Sequence, residues 1–213
     1  MSSGTPAKTS PAKTSTAAGL LLAAGAGRRL GQPKALVELG GQTLAERAVA
    51  LLRDGGADPV IMVTGAVDVS LPGVTAVHNP DWPTGMGSSL RVGLAALPAD
   101  SPAVVIALVD QPLISSRVVE RLIEAFGAGA GVAVASYGGQ RRNPVLIARE
   151  HWAVVAESAD ADHGAREFLR AHPGLITLVE CGDIGRADDL DTPDDLRRIA
   201  DLMAAQDPFT PRG

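Results

Sequence analysis

The chain has 213 residues with a formal net charge of −5, and 46% of its residues are hydrophobic while only 3% are aromatic. This length fits one large domain with a substantial core. The negative charge and the scarcity of aromatic side chains argue against a nucleic-acid-binding surface. Cys181 is the single cysteine, so an internal disulfide is excluded, and a reducing, cytoplasmic location is expected.

Residues 1–18 are predicted to form a disordered tail. The unit Pro-Ala-Lys-Thr-Ser occurs twice there, at 6–10 and 11–15, and a segment of this composition has little to bury. The apolar run at 20–24 is too short for a signal-peptide core or a membrane span. We therefore expect one domain over 19–206, a flexible C-terminus at 207–213 and no membrane attachment.

Apolar runs and amphipathic segments alternate along the domain. The predicted strands span 19–24, 59–64, 74–78, 103–109, 132–135, 145–147 and 175–179. The predicted helices span 43–54, 88–97, 116–126, 149–156, 164–171 and 192–205. Thr43 and Glu46 have the spacing of a capping box, and Thr192 before Pro193 is typical of a helix start. The alternation predicts an α/β fold, a three-layer αβα sandwich around a Rossmann-like, mostly parallel sheet.

A glycine-rich loop with three cations follows the first predicted strand. Its sequence is GAGRRLGQPK at 25–34. The glycines let backbone N–H groups approach an anion, and Arg28, Arg29 and Lys34 supply the charge that a polyphosphate needs. The dinucleotide fingerprint would want a small residue in place of Leu30, and a P-loop would want Gly-Lys-Ser/Thr around Lys34. The alternative is a strand-to-helix turn with solvated arginines.

Asp110 is an aspartate whose position in the chain suggests a ligand, whereas the position of Asp191 by itself favours an acid at the start of a helix. Asp110 comes directly after the run at 103–109, and the carboxyl end of a parallel strand is where such sheets bind ligands. Asp191 lies in the sequence DDLDTP at 188–193. Carboxylate oxygens suit Mg²⁺. The alternatives are a turn aspartate at Asp110 and a helix-dipole partner at Asp191.

The sequence LLLAAGAGRRLGQPKAL at 20–36 resembles the signature of nucleotidyltransferases akin to the molybdenum cofactor transferases and the sugar-phosphate pyrophosphorylases. NPDW at 79–82, GMGSSL at 85–90, LVDQP at 108–112, RNPV at 142–145 and DHGAR at 162–166 resemble the molybdenum cofactor cytidylyltransferase branch. DLDTP at 189–193 resembles the family's D-x-D-T-P element, whose second aspartate is a metal ligand, and the resemblance as a whole covers about 19–202. The resemblance implies the fold of the nucleotide-diphospho-sugar transferases.

The resemblance also implies roles for individual residues. Arg29 and Lys34 would be catalytic, and Asp110 and Asp191 would hold Mg²⁺ or Mn²⁺, with Asp189 beside them. The nucleotide would contact Leu22, Ala23, Ala24, Gly25, Gly27, Arg28, Gly87, Ser88 and Ser89. The acceptor side would include Asn143, Pro144 and His163. From the sequence alone, Ser88 and Ser89 are equally compatible with plain helix caps.

The implied reaction moves CMP from CTP onto the phosphate of molybdopterin or its molybdenum form and releases pyrophosphate. CTP is favoured because the guanylyl branch usually has glycine where Ala24 stands. A molybdenum hydroxylase that receives the product is the expected protein partner. Arg142, where the branch often has glycine, and Ala161 depart from the pattern on the acceptor side. The alternatives are a guanylyl- or sugar-phosphate nucleotidyltransferase and a non-catalytic nucleotide- or cofactor-binding chaperone.

Overall fold

The computed structural model describes residues 17–160 and 163–206, so the predicted tail up to residue 16 and the predicted C-terminus lie outside the described residues. The strands are β1 (Ala18–Leu22), β2 (Glu38–Leu39), β3 (Gln42–Thr43), β4 (Val60–Thr64), β5 (Thr75–His78), β6 (Ala103–Leu108), β7 (Val132–Tyr137), β8 (Gln140–Ala148) and β9 (Ile176–Glu180). The α-helices are α1 (Leu44–Asp54), α2 (Met86–Ala96), α3 (Ser116–Gly127), α4 (Trp152–Ser158), α5 (Arg166–Ala171) and α6 (Pro193–Gln206).

Seven strands form one sheet in the order β5-β4-β1-β6-β8-β7-β9. All neighbouring pairs are parallel except the two made by β8, which runs antiparallel to β6 and β7. This arrangement confirms the mostly parallel sheet expected from the sequence. The short strands β2 and β3 form a separate two-stranded pair that the sequence did not predict.

Helices cover both faces of the sheet, as the predicted three-layer sandwich requires. One core lies under α1, α3 and α6 and includes Leu21 of β1. The other lies under α2, α4 and α5 and includes Leu20. Because successive strand residues point to opposite faces, β1 feeds both cores, which explains its unbroken apolar sequence. No helix in the described part of the chain combines the length and apolarity that crossing a bilayer requires.

Local sequence signals account for several element boundaries. Thr43 accepts from the backbone of Glu46 and Glu46 accepts from the backbone of Thr43, so the capping box of α1 is confirmed. Thr192 and Asp195 form the same reciprocal pattern at the start of α6. The helix predicted at 149–156 is divided into a 3-10 turn, Arg149–His151, and α4.

The start of β1 and the lengths of β7 and β8 differ from the sequence prediction for identifiable reasons. Ala18, which the sequence placed in the tail, is the first residue of β1, and the preceding Ala17 is also buried. β7 and β8 are longer than predicted and form a hairpin. The turn between them is Gly138-Gly139, and both residues have positive φ, a conformation that glycine adopts without strain.

Candidate functional site

A cleft opens at the carboxyl edge of the central strands. It has a volume of about 360 Å³, within the range of roughly 300–1,000 Å³ typical of small-molecule sites. Its walls come from the segments that follow β1 and β6, from the 3-10 turn at 82–84 and from the start of α2. The lining residues are Leu22, Ala24, Gly25, Ala26, Gly27, Arg28, Lys34, Trp82, Pro83, Gly85, Met86, Ser89, Leu108, Val109 and Asp110.

The glycine-rich loop is shaped by one glycine in particular. Gly27 has φ +60°, and its carbonyl accepts from the backbone N–H groups of Leu30 and Gly31 at 2.9 Å each. A Cβ on Gly27 would stand 1.9 Å from the carbonyl oxygen of Gln32. The loop therefore closes on itself with room for a hydrogen atom only. Gly25, by contrast, faces open space and lines the cleft, where a ligand can approach the backbone.

Lys34 joins the two aspartates that the sequence singled out. Its Nζ donates to Oδ2 of Asp110 at 2.7 Å and to Oδ1 of Asp191 at 2.6 Å. Arg29 pairs with Oδ2 of Asp191 at 3.0 Å. These four residues come from three segments that are far apart in the sequence. The structure therefore brings together all the residues predicted to act in catalysis or metal binding.

The electrostatics of this cluster favour a charged lysine. Burial lowers the pKa of Lys34, but the charges and hydrogen bonds of Asp110 and Asp191 outweigh it, so the pKa is raised overall. Burial raises the pKa of Asp110, the charge of Lys34 opposes that rise, and the charge of Asp189 adds to it. Lys34 therefore remains an ammonium group and lies between two carboxylates that would otherwise repel each other.

Two hydrogen bonds, one between backbone groups and one between side chains, connect the segment at 110–111 to the segment at 189–191. The backbone N–H of Leu190 donates to the carbonyl of Asp110 at 2.8 Å. Beside it, Nε2 of Gln111 donates to Oδ1 of Asp189 at 2.8 Å. No role was predicted for Gln111 itself, although it lies in the LVDQP motif. Its position directly after a strand-end aspartate was the available signal.

The start of α2 is organised by a buried asparagine. The Nδ2 of Asn79 donates to the hydroxyls of Ser88 and Ser89 at 2.9 and 3.0 Å. The Ser88 hydroxyl also donates towards the carbonyls of Asp81 and Gly85. The residue at the N-cap is Gly85, with φ +116°, so Ser88 and Ser89 are not caps. Gly85 and Ser89 line the cleft.

The remaining predicted residues lie around this cleft in different ways. Ala23, Gly87 and Ser88 are buried just behind its wall and do not line it. Asn143 and Pro144 belong to β8, whose first residues lie at the same edge of the sheet because β8 is antiparallel to β6. His163 is exposed and follows the two undescribed residues 161 and 162. Gly164, next to it, packs against the side chain of Met86.

The carboxylates offer one free oxygen to a cation. Oδ1 of Asp110 is buried and has no hydrogen-bond partner among the described residues, whereas the other three carboxylate oxygens of Asp110 and Asp191 contact Lys34 or Arg29. Hard oxygen donors of this kind fit Mg²⁺ or Mn²⁺. Across the described residues, no group of three or more His, Cys, Asp or Glu side chains is placed to hold a metal, so substrate oxygens would have to complete the coordination.

The fold and the site define a nucleotide-binding α/β protein with a lysine–carboxylate cluster at the floor of its cleft. Residues 19–175 match the MobA-like NTP transferase domain. The chain therefore belongs to the MobA-like NTP transferase family and is a nucleotidyltransferase.

Relatives of the chain carry more than one functional name. It is 37% identical over 195 residues to nicotine blue oxidoreductase of Paenarthrobacter nicotinovorans, covering 85% of this chain and 95% of that protein. It is 35% identical over 125 residues to a probable molybdenum cofactor guanylyltransferase of Opitutus terrae, covering 58% of this chain and 62% of that protein. The family is thus shared by proteins named for different reactions.

Solved structures agree with the fold. A homologue, from Mycobacterium sp. strain JC1, of the M. tuberculosis protein Rv0371c is 30% identical, with a TM-score of 0.78 over 90% of this chain and 98% of that one. Rv0371c of M. tuberculosis in complex with manganese is 25% identical, with a TM-score of 0.72 over 87% of this chain and 98% of that one.

Proposed function

We propose that the protein transfers CMP from CTP to the phosphate of molybdopterin or its molybdenum form and releases pyrophosphate. The observation that carries the proposal is the contact of Lys34 with Asp110 and Asp191 at the floor of a cleft lined by the glycine-rich loop. A protein that only binds a nucleotide or cofactor has no need of two carboxylates held together by an ammonium group. This disfavours the chaperone alternative.

The reaction is an in-line attack by an acceptor phosphate oxygen on the α-phosphorus of the nucleotide. The new bond joins this oxygen to the α-phosphorus, while the bond to the bridging oxygen of the β-phosphate breaks and pyrophosphate leaves. A phosphate monoester is largely ionised near neutral pH, so the chain needs no strong general base. Its residues contribute positioning and charge stabilisation. In this proposal Lys34 and Arg29 stabilise the α-phosphate and the leaving pyrophosphate.

Asp110 and Asp191 are the residues that would hold a divalent cation, Mg²⁺ or Mn²⁺. The unpartnered Oδ1 of Asp110 and the manganese complex of the structural relative Rv0371c support this assignment. When bound, the cation supplies Lewis-acid neutralisation of phosphate oxygens. Asp110→Asn should abolish metal-dependent turnover while leaving the fold intact, and a normal Mg²⁺ titration of that variant would remove Asp110 from the site.

Ala24 supports CTP over GTP as the donor. Ala24 lines the cleft, and its methyl group is close enough to Gly65 that a Cβ added to Gly65 would lie 2.8 Å from it. The wall is therefore crowded where the guanylyl branch has glycine. One methyl group discriminates by about 1–3 kcal/mol. Ala24→Gly should raise the ratio of GTP to CTP use by roughly 10-fold or more, and an unchanged ratio would remove Ala24 from base selection.

The test of the whole proposal is pyrophosphate release from each of the four NTPs with molybdopterin, its molybdenum form or a sugar 1-phosphate as acceptor. We expect release with CTP, only in the presence of both acceptor and Mg²⁺ or Mn²⁺. Release with GTP alone would favour the guanylyl alternative, and release only with a sugar 1-phosphate would favour the sugar-phosphate one. No release with any acceptor, together with tight nucleotide binding, would favour the chaperone.

A second candidate, favoured by the similarity to nicotine blue oxidoreductase, is dye reduction in the same cleft. Leu22, Trp82, Met86 and Leu108 give the cleft an apolar wall that suits a flat aromatic ring. A reduced nicotinamide dinucleotide as hydride donor would present its phosphates to the glycine-rich loop. Oxidation of NADH or NADPH in the presence of nicotine blue tests this candidate in the same protein sample.

A further inference from the structure

Gln111 carries a buried amide whose two ends have different surroundings. Only 6% of the residue is exposed. Its Nε2 donates to Oδ1 of Asp189, whereas its Oε1 is buried and has no partner among the described residues. A carboxylate only accepts hydrogen bonds, so the contact with Asp189 fixes which end of the amide is the donor. The carbonyl oxygen of Gln111 therefore needs a hydrogen-bond donor other than Asp189.

A second unpartnered polar atom belongs to Arg47 of α1. Its Nε is buried and without a partner in the described part of the chain, although its two terminal nitrogens contact Gln42 and Met203. Arg47 and Gln111 line the same cavity of about 10 Å³, between α1 and the segment after β6. About 10–15 Å³ is enough for one water molecule. A water in this cavity would satisfy both atoms if it accepted from Arg47 Nε–H and donated to Gln111 Oε1.

The bond between Gln111 and Asp189 connects the two segments that carry the predicted metal ligands. Gln111 directly follows Asp110, and Asp189 lies two residues before Asp191. The backbone bond from Leu190 to Asp110 connects the same two segments. Mg²⁺ requires near-ideal coordination geometry, so a site with two protein carboxylates depends on their spacing.

We propose that Gln111 is a positioning residue of the metal site: Arg47 holds its amide through one buried water, and the amide holds the Asp189 segment in place. The inference rests on the proposed function, because it takes Asp110 and Asp191 to be the metal ligands. Gln111 itself does not touch the metal or the substrate.

Mn²⁺ binding to the full chain, measured by electron paramagnetic resonance without nucleotide or acceptor, tests this role. Gln111→Met keeps the volume and removes the bond to a charged group, so Mn²⁺ should bind about 10-fold more weakly. Gln140→Met, the same change at an exposed position of the β7–β8 hairpin, should leave Mn²⁺ affinity unchanged. A Gln111→Met variant with a lower Tm and unchanged Mn²⁺ affinity would show a structural role only and overturn the proposal.

Asp110→Asn distinguishes an error in the proposed metal site from an error in the proposed role of Gln111. If Asp110→Asn leaves Mn²⁺ affinity unchanged, the proposed metal site is wrong, and the role of Gln111 falls with it. If Asp110→Asn weakens Mn²⁺ binding and Gln111→Met does not, only the positioning role is wrong. Gln111→Glu and Asp189→Asn should each weaken binding, and the double variant, which exchanges donor and acceptor, should restore it to within about 3-fold of the wild type. Failure of the double variant to restore binding contradicts the proposal.

The water is tested by a high-resolution crystal structure of the full chain. We expect one ordered water within hydrogen-bond distance of Arg47 Nε and Gln111 Oε1. In Arg47→Met that water should be lost and Mn²⁺ affinity should fall in the same direction as in Gln111→Met. A dry cavity in the wild-type protein, or an Arg47→Met variant with normal Mn²⁺ affinity, would remove Arg47 from the proposal.

Discussion

Replacing Lys34 by methionine should destabilise the protein and strengthen its metal binding at the same time. The Lys34 side chain is 16% exposed, and those of Asp110 and Asp191 are 21% and 30% exposed. Removing one partner of a fully buried pair costs about 3–5 kcal/mol. Partial screening by water reduces this to roughly 1–3 kcal/mol, or about 3–9 °C in Tm for a chain of this size.

The gain in metal affinity follows from the same contacts. The ammonium group of Lys34 contacts one oxygen of each carboxylate, so it would lie close to a cation bound there. Two unit positive charges about 4 Å apart repel by roughly 4 kcal/mol at an effective dielectric constant of ~20. In Lys34→Met we therefore expect Mn²⁺ to bind at least ~10-fold more tightly in the absence of nucleotide. Turnover should nevertheless fall by more than ~10²-fold, because a transition-state charge contact is lost.

Isothermal titration with Mn²⁺, thermal unfolding and pyrophosphate release measure the three effects on one preparation. Arg117→Met removes an exposed cation of α3 and serves as the matched control, with all three quantities unchanged. Equal Mn²⁺ affinity in Lys34→Met and the wild type would refute the idea that lysine and metal share the carboxylates. Unchanged turnover would remove Lys34 from the reaction.

Two further predictions concern the glycine-rich loop and the hairpin between β7 and β8. Gly27→Ala should weaken NTP binding by at least ~10-fold because the loop must shift. Gly31 also has a positive φ but faces open space, so Gly31→Ala should change NTP binding by less than ~3-fold. Equal effects of the two substitutions would contradict the packing argument. Hydrogen bonds from Ser136 and from the Gly138, Gly139 and Gly182 backbones lower the pKa of Glu180 from 4.5 to about 2. The ionised form is therefore favoured by folding, and its stabilisation is complete above pH 4.5 and lost as the pH falls towards 2. The Tm difference between the wild type and Glu180→Gln should shrink over that window, and a difference independent of pH would refute the assignment.

Most elements of the fold could be predicted from the sequence because the signals for them are local. The unbroken apolar run of β1 reflects burial on both faces, and the capping box at Thr43 and Glu46 is a contact between residues three apart. The hairpin strand β8 was underestimated because its first residues, Gln140–Asn143 among them, are polar and exposed or half-exposed. Strand pairing with β7 holds them extended, and pairing across the sheet is not readable from a single segment.

The site was predicted by a different route. Nothing local connects Lys34 to Asp191, which lies 157 residues later. The prediction that they meet came from a motif resemblance and from the rule that strand ends share one edge of the sheet. Gln111 lies in the LVDQP motif and directly after the strand-end Asp110, but neither signal predicts which residue it contacts. Its contact with Asp189 exists only once β6 and the segment before α6 have met.

The charge balance of the cluster indicates why metal and nucleotide should bind together. Lys34 contacts Asp110 and Asp191, and Arg29 contacts Asp191, so neither cation is free for a triphosphate. Lys34 and Arg29 become available to phosphate oxygens only when the carboxylates contact another cation. Arg28, which lines the cleft and has no acidic partner among the described residues, is the one loop cation that is free beforehand. Nucleotide should therefore approach Arg28 and the glycine backbone first, and bind tightly only together with a divalent cation.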